Sequence, residues 1–290
     1  MTGYKSILTC LCDADTAPST LGLALLVARS HGAHVEALHV KLDPATAVPL
    51  VGEGMSGAMV EEMLGVAEQQ ATERADGIRK LFEQICARQE VALAGKPPAE
   101  PAATAHWREE IGHEEEIIAE AGRLSDMVVI ARPSPDRDIP SIMSLNAALL
   151  ESGRPLMLAP PRLPASVGRH VAIFWNGSVE AARAVAAAMP FLVKAQAVTI
   201  LSAREEDANT PGELADYLAW HGVAATERAF AAGGTGGGQV AQMLLDEAVT
   251  RGADLIVMGA YTHSRLRQLI LGGVTRQILH GANLPVLLCH

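Results

Sequence analysis

Short unbroken apolar runs alternate along this chain with stretches in which apolar residues recur at helical spacing. Ser6 to Cys12 reads as a strand, about Ser19 to Ser30 as an amphipathic helix, and His34 to Val40 as a second strand. Val171 to Trp175, Ala181 to Leu192 and Ala197 to Leu201 repeat that order. The later parts of the two series also match. LSDMVVIARP from Leu124 parallels GADLIVMGAY from Gly252, and SGRPLMLAP from Ser152 parallels GANLPVLLC from Gly281. A strand covered on both faces has no polar side to alternate with, so such runs between helices predict parallel sheets sandwiched by helices. The expected class is α/β: two tandem doubly wound, Rossmann-like domains, each an open, mainly five-stranded parallel sheet with helices on both faces.

Offsets locate the difference between the copies. Ile7 matches Val171 at an offset of 164 and Asp126 matches Asp254 at 128, so the first copy holds 36 additional residues between those points. Gly57 to Gln89 carries the excess and reads as one long helix, either a solvated cover over the sheet or a dimerisation or lid element. The Pro- and Ala-rich Lys96 to Ala105 reads as a loop. Ala159 to Arg169 is rich in proline and joins the copies, which puts the domains at 1–162 and 163–290, with the boundary near Leu163. An apolar last strand is an exposed edge that needs cover, so Pro155 to Ala159 and Pro285 to Cys289 are expected to pack against each other. The chain would then be an intramolecular pseudo-dimer, with a homodimer as a further option.

Composition narrows the partners. Of 290 residues 49% are apolar and 19% charged, which suffices for a sizeable core. Ten aromatic residues and a net charge of −10 argue against nucleic acid, which wants stacking platforms and a basic surface. No apolar run reaches the roughly 18 residues of a membrane span, and Met1 to Lys5 shows no signal-peptide order, so a cytoplasmic location without a membrane partner is expected. Cys10, Cys12, Cys86 and Cys289 are too scattered for a disulfide framework. Cys10 and Cys12, two apart in a strand, share a face and read as buried small hydrophobes rather than half a metal site. In HWREEIGHEEE, His106 to Glu116, the residues Glu109, His113 and Glu116 could share a helix face, but their spacing is no ligand motif and a solvated charged face is the expectation. No metal site is predicted. Met143 and Met157 read as core filling.

Ligands of open parallel sheets bind beyond the carboxyl ends of the strands, where strand order reverses. In the second copy that places weight on the turn Asn176, Gly177 and Ser178, which opens a helix, and on the segment from Val257. Gly259 permits close backbone approach. Gly272 and Gly273 precede a helix from Val274 whose free amides would attract an anion. Thr262, Ser264 and Thr275 offer hydroxyls. From Leu255 onward there is no Asp or Glu, while Arg265, Arg267 and Arg276 are present. The counts are 14 basic and 23 acidic residues over 1–162, net −9, against 9 and 10 over 163–290, net −1, so the near-neutral second copy with its acid-free, Arg-bearing segment suits a nucleotide polyphosphate better than a cationic ligand. The run AAGGTGGG, Ala231 to Gly238, lacks GK[ST] and is no Walker loop; it reads as a strand-to-helix connection or a flap over the second-copy site.

The whole chain resembles a tandem universal stress protein, two copies of the small domain of the adenine-nucleotide α-hydrolase-like group. The strongest match is ADLIVMGAYTHSRLRQLILGGVTRQILHGANLPVLL, from Ala253. Nucleotide-binding members carry Gly, two residues, Gly, nine residues, then Gly followed by Ser or Thr. That frame falls on Gly259, Thr262, Gly272 and Gly273, with Thr262 in place of the second glycine and Gly273 in place of the hydroxyl residue. The acidic residue after the first strand corresponds to Asn176. The resemblance implies a site for ATP or another adenine nucleotide, with or without magnesium, made of Asn176, Gly177, Ser178, Ala203, Met258, Gly259, Thr262, His263, Arg265, Gly272, Gly273, Val274 and Thr275. In the first copy the matching loop, from Ile130, has no glycine before Gly153. Pro133, Pro135 and Pro140 lack amide protons, so no triphosphate is expected there. Its first-strand turn keeps Cys12 or Asp13 at the acidic position.

Catalysis needs an activated nucleophile or an oriented acid or base, and magnesium-assisted phosphoryl transfer wants an Asp on the metal. The segment from Leu255 has no carboxylate, Asn176 is neutral, and Asp254 precedes its strand at the far end of the sheet. The leading expectation is a nucleotide-responsive regulatory protein of the stress response, not an enzyme. The alternatives are a slow ATP hydrolase or transferase with His263 as base, and a structural pseudo-dimer that has lost its ligand.

Overall fold

A computed structural model describes residues 3–43, 57–133, 141–204, 211–231, 236–260 and 273–290. The first half holds the strands β1 (Ser6–Cys10), β2 (His34–Lys41), β3 (Ala92–Leu93), β4 (Thr104–Ile111), β5 (Met127–Ala131) and β6 (Leu156–Ala159). Its helices are α1 (Ala17–His31), α2 (Gly57–Arg88), α3 (Glu114–Gly122) and α4 (Ile142–Leu150). The second half holds β7 (His170–Phe174), β8 (Ala197–Arg204), β9 (Ala225–Ala231), β10 (Leu255–Gly259) and β11 (Val286–Cys289), with α5 (Val179–Leu192), α6 (Pro211–Trp220), α7 (Gly237–Thr250) and α8 (Gly273–Gly281).

The eleven strands among the described residues join one sheet in the order β3-β4-β2-β1-β5-β6-β11-β10-β7-β8-β9. Setting aside the two-residue β3, each half has the same order, β4-β2-β1-β5-β6 and β9-β8-β7-β10-β11. Pairing is parallel except at the centre, where Val286, Leu287 and Leu288 lie antiparallel to Leu158, Met157 and Leu156. The last strands do meet, as their apolar edges predict, and they fuse two sheets into one because each satisfies the other's unpaired backbone groups. The class is the expected α/β, with helices on both faces.

One face carries α1, α2, α5 and α6 over Ile7, Val35, Val171, Ile200 and Leu287. The other carries α3, α4, α7 and α8 over Leu8, Val128, Phe174, Met258 and Leu288. The matching Asp residues of the two copies do the same work at the amino ends of the central strands. Asp126 Oδ2 accepts from Lys5 N at 2.7 Å and Ser6 N at 3.0 Å, and Asp254 accepts from Arg169 N at 3.2 Å and His170 N at 2.9 Å. A carboxylate thus holds the amides that enter β1 and β7.

Helices also cross the seam between halves. Tyr4 donates its hydroxyl to Ala187 O, and Lys194 Nζ donates to Ser30 O at 2.9 Å. His31 packs edge-on against Tyr4 and Phe191, with ring centroids 5.2 Å from each. Burial, with Lys194 and Lys5 adding to it, lowers the pKa of His31 to about 4. Leu163, at the expected boundary, lies over Gly22 of α1, where a Cβ would come within 2.8 Å of its side chain.

The extra residues do form one helix, α2, whose buried side chains Ala75, Ile78, Phe82, Ile85 and Cys86 all belong to its second half. Several local expectations need correction. His106 to Ile111 is strand, not helix, so Glu109 and Glu116 share no helix face; cross-strand pairing of β4 with β2 outweighs the helical spacing of its charges. Its charges pair instead, Lys41 with Glu109 at 2.6 Å and Arg108 with Glu36 at 3.0 Å. Thr104 and Ala105 belong to β4 rather than to a loop. Met143 is 60% exposed on α4, whereas Met157 is fully buried. Cys12 lies past the end of β1, not within it; all four cysteines are free thiols, and burial next to Glu114 pushes the Cys10 and Cys12 thiols up. No helix among the described residues is long and apolar enough to cross a membrane. Nor do those residues gather three His, Cys, Asp or Glu side chains able to hold a metal ion.

Candidate functional site

Strand order in the second half reverses between β7 and β10, where Phe174 lies beside Met258. Four residues, Trp175 to Ser178, connect β7 to α5. Asn176 Oδ1 accepts from Ser178 N at 3.1 Å, Gly177 takes φ +74°, and Ser178 Oγ caps α5 by accepting from Ala181 N at 3.1 Å. The expected Asn-Gly-Ser turn is therefore a preorganised loop, with these two side-chain oxygens turned to its own amides.

Gly259 ends β10 beside this turn. A Cβ there would fall 2.4 Å from Ala181 N and 2.7 Å from the Glu180 carbonyl carbon, so the close backbone approach it allows is that of α5. This is a packing role, and it brings Glu180, in the first turn of α5, to the edge of the site. Sequence reasoning missed that carboxylate because it searched the segment after Leu255; a Ser-x-Glu start of helix was the available signal. Ala203, near the end of β8, lies beside Phe230 and opens toward Val240 and Met243 of α7.

The starts of α7 and α8 touch through glycine. A Cβ on Gly237 would come within 3.3 Å of Gly273 Cα and of Val274 N, and one on Gly273 within 3.5 Å of Gly237 Cα. The first amides of both helices lack helical acceptors and carry the positive ends of the helix dipoles. Two such ends held together by bare backbone concentrate positive potential at one place. The end of the glycine-rich run, Gly236 to Gly238, thus adjoins the start of α8, while residues 232–235 of the run, on which the flap reading falls, lie outside the described residues. Thr275 is buried, which turns its hydroxyl away from solvent, and Val274 is half-buried. Thr262, His263, Arg265 and Gly272, with Ser264 and Arg267, lie outside the described residues.

Two further side chains were not anticipated. Trp175 follows β7 and donates its backbone N–H to Leu201 O at 2.9 Å, placing it next to Ser202 near the end of β8. Trp175 Nε1 and Ser202 Oγ are buried without a hydrogen-bond partner among the described residues. The alternation of strand side chains puts both on the α5 and α6 face, opposite Ala203. Each such unmade buried hydrogen bond costs about 1 to 3 kcal/mol.

The corresponding corner of the first half is filled from within. Asp13 accepts from Asp15 N, Thr16 N and Thr16 Oγ1, closing its turn. Glu114 begins α3, and Ser144, in the first turn of α4, donates its hydroxyl to Glu114 Oε1 at 2.5 Å. A carboxylate thus bridges the two helix starts where the second half has only glycine backbone.

The halves are doubly wound α/β units of Rossmann-like type, and comparison with known proteins shows what they are similar to. Residues 169–290 match the model of the Universal stress protein family. A universal stress protein from Archaeoglobus fulgidus superposes at TM-score 0.62, covering 98% of this chain and 95% of that chain at 17% identity. A functionally unknown protein from Pseudomonas aeruginosa superposes at TM-score 0.53, covering 99% of this chain and 92% of that one at 14% identity. These likenesses extend the fold over both halves. A universal stress protein solved in complex with cAMP also matches, at TM-score 0.37 and 12% identity, over 55% of this chain and 99% of that chain. No curated protein matches the sequence.

Proposed function

We propose that this chain is a regulatory binding protein whose second unit, 163–290, takes an adenine nucleotide or a related phosphorylated ligand without efficient turnover, while the first unit, 1–162, takes none. The contact of the α7 and α8 starts across Gly237 and Gly273 carries this reading, because two unneutralised helix ends attract negative charge. Gly272, Gly273, Val274 and Thr275 would supply amides to phosphates, with Thr262, His263 and Arg265 beside them. Asn176, Gly177, Ser178, Ala203, Met258 and Gly259 would border the nucleoside. Magnesium would ride on the phosphates. The protein would work as a cytoplasmic pseudo-dimer, without nucleic acid or membrane as partner.

Mass spectrometry of small molecules retained through purification, followed by calorimetry with ATP, tests the reading. One nucleotide per chain is expected. Two per chain, or no binding to ATP, AMP or cAMP, overturns it. A slow hydrolase remains the second reading, because Glu180 supplies a carboxylate at the edge of the site. Turnover lost in both Glu180→Gln and His263→Ala, with binding retained, would favour that reading over pure binding.

A further inference from the structure

Two helices of nine residues occupy matching places in the halves, α4 (Ile142–Leu150) and α8 (Gly273–Gly281). The residue after each closes its last turn: Glu151 N donates to Ala147 O and Ala282 N to Ile278 O, both at 3.0 Å. The carbonyls at a helix end lack helical donors and carry the negative end of its dipole, so a cation is favourable there. In the first half that cation comes from the same half, since Arg123 Nε donates to Glu151 O at 3.3 Å. Arg251 is its counterpart at the repeat's offset of 128, but Arg251 Nε donates to Glu247 Oε1 at 2.7 Å. The end of α8 is served instead from across the seam, where Arg132 Nη1 of the first half donates to Ala282 O.

Arginine at this place belongs to the first copy alone. Arg132 follows β5 and donates its backbone N–H to Ala159 O, as Ala260, after β10, donates its own to Cys289 O. The guanidinium is half-buried, burial lowers its pKa, and no carboxylate among the described residues pairs with it. A desolvated cation without a counter-ion is costly, and the negative end of α8 offsets that cost. At its other end α8 meets α7 across the backbone of Gly237 and Gly273, and its first turn has no acidic side chain to neutralise it. Nine residues are too few to fix a helix by themselves, so the contacts of α8 set its position. A rod of about 14 Å released at one end shifts at the other.

We propose that Arg132 of the first unit is a positioning residue for the ligand of the second: by holding the end of α8, it sets where the free amides of Gly273, Val274 and Thr275 stand. The inference rests on the nucleotide reading above and deepens it. The unit that this reading leaves without a ligand tunes the affinity of its twin, and a phosphate bound at the start of α8 in turn tightens the seam, because such coupling is reciprocal.

The test titrates ATP and adenosine into the full chain and three variants by calorimetry. Arg132→Met keeps the aliphatic stem while removing the charge and the donor. It should bind ATP roughly fivefold or more weakly and adenosine as before, because only the phosphates reach α8. Arg132→Lys returns a cation and should recover most of the loss. Lys194→Ala removes the other cation that crosses the seam to a helix end, Lys194 Nζ on Ser30 O, and should leave ATP affinity unchanged. Equal losses for ATP and adenosine in Arg132→Met would make the residue merely structural and overturn the inference. So would a loss in Lys194→Ala as large as that in Arg132→Met. Normal ATP binding by Arg132→Met overturns the inference alone, whereas a wild-type chain that binds no adenine nucleotide overturns the nucleotide reading and the inference together.

Discussion

The halves of this protein share a strand order and an aspartate clamp, and they part company at the carboxyl edge. Six residues, Leu11 to Thr16, connect β1 to α1, whereas four, Trp175 to Ser178, connect β7 to α5. The shorter turn draws α5 down onto β10, and the strand end beneath it is glycine. The first half has Ala131 at the corresponding place: it pairs with Ala159 at the end of β6 as Gly259 pairs with Cys289 at the end of β11. Where two helix starts come together, the first half supplies Glu114 and Ser144, and the second supplies Gly237 and Gly273. A repeat can thus keep its topology while a carboxylate of its own bridges two helix starts that meet through bare backbone in its twin.

The largest effect should come from breaking the close approach. Gly259→Ala sets a methyl group against helix backbone that cannot swing aside, and should destabilise the protein by about 3 kcal/mol. Chemical denaturation measures it, and a change within about 0.5 kcal/mol would mean that α5 does not lie so near.

Almost as large is a pH effect at the seam between the halves. His31 has its pKa lowered from 6.5 to about 4 in the folded protein, so between those values the unfolded chain binds more protons. Stability should be full above about pH 6.5, fall as the pH drops toward 4, and level off below, with a total loss of up to about 3 kcal/mol. His31→Phe should flatten that part of the profile. An unchanged slope in the variant would place the acid sensitivity elsewhere.

Ligand binding sharpens the comparison further. Gly237→Val puts side-chain atoms between the α7 and α8 starts and should weaken ATP binding by roughly tenfold or more, about 1.4 kcal/mol. Glu114→Gln, in the other half, should leave ATP affinity and the single stoichiometry unchanged. If the first variant binds normally, the glycine contact is packing alone.

The smallest effects belong to the first half's own substitutes. Glu114→Ala removes the acceptor of Ser144 and a charge at the start of α3, and should cost about 1 kcal/mol in denaturation. Ala131→Gly should cost a similar amount or less, through chain entropy and a lost methyl contact. A loss as large as that of Gly259→Ala would make the two strand ends equivalent after all.

Much of this architecture is legible in the sequence because it rests on local pattern. Apolar runs such as Val128 to Ala131 and Leu255 to Met258 must be buried on both faces, and helical spacing in 57–89 permits only a long helix. The apolar last strands likewise demand cover, and they find it in each other. The turn Asn176 to Ser178 is local too, since Asn, Gly and Ser serve it through bonds two or three residues away. What only the tertiary structure decides are relations between residues distant in the chain. Gly259 faces Ala181 because a turn of four residues sets the height of a helix. Glu114 reaches Ser144, and Gly237 reaches Gly273, because strand order brings two helix starts together. His106 to Ile111 becomes strand because β2 offers it a full ladder of hydrogen bonds, which outweighs the helical spacing of its charges. Periodicity reports which side of an element is buried; it carries no information about which partner lies there.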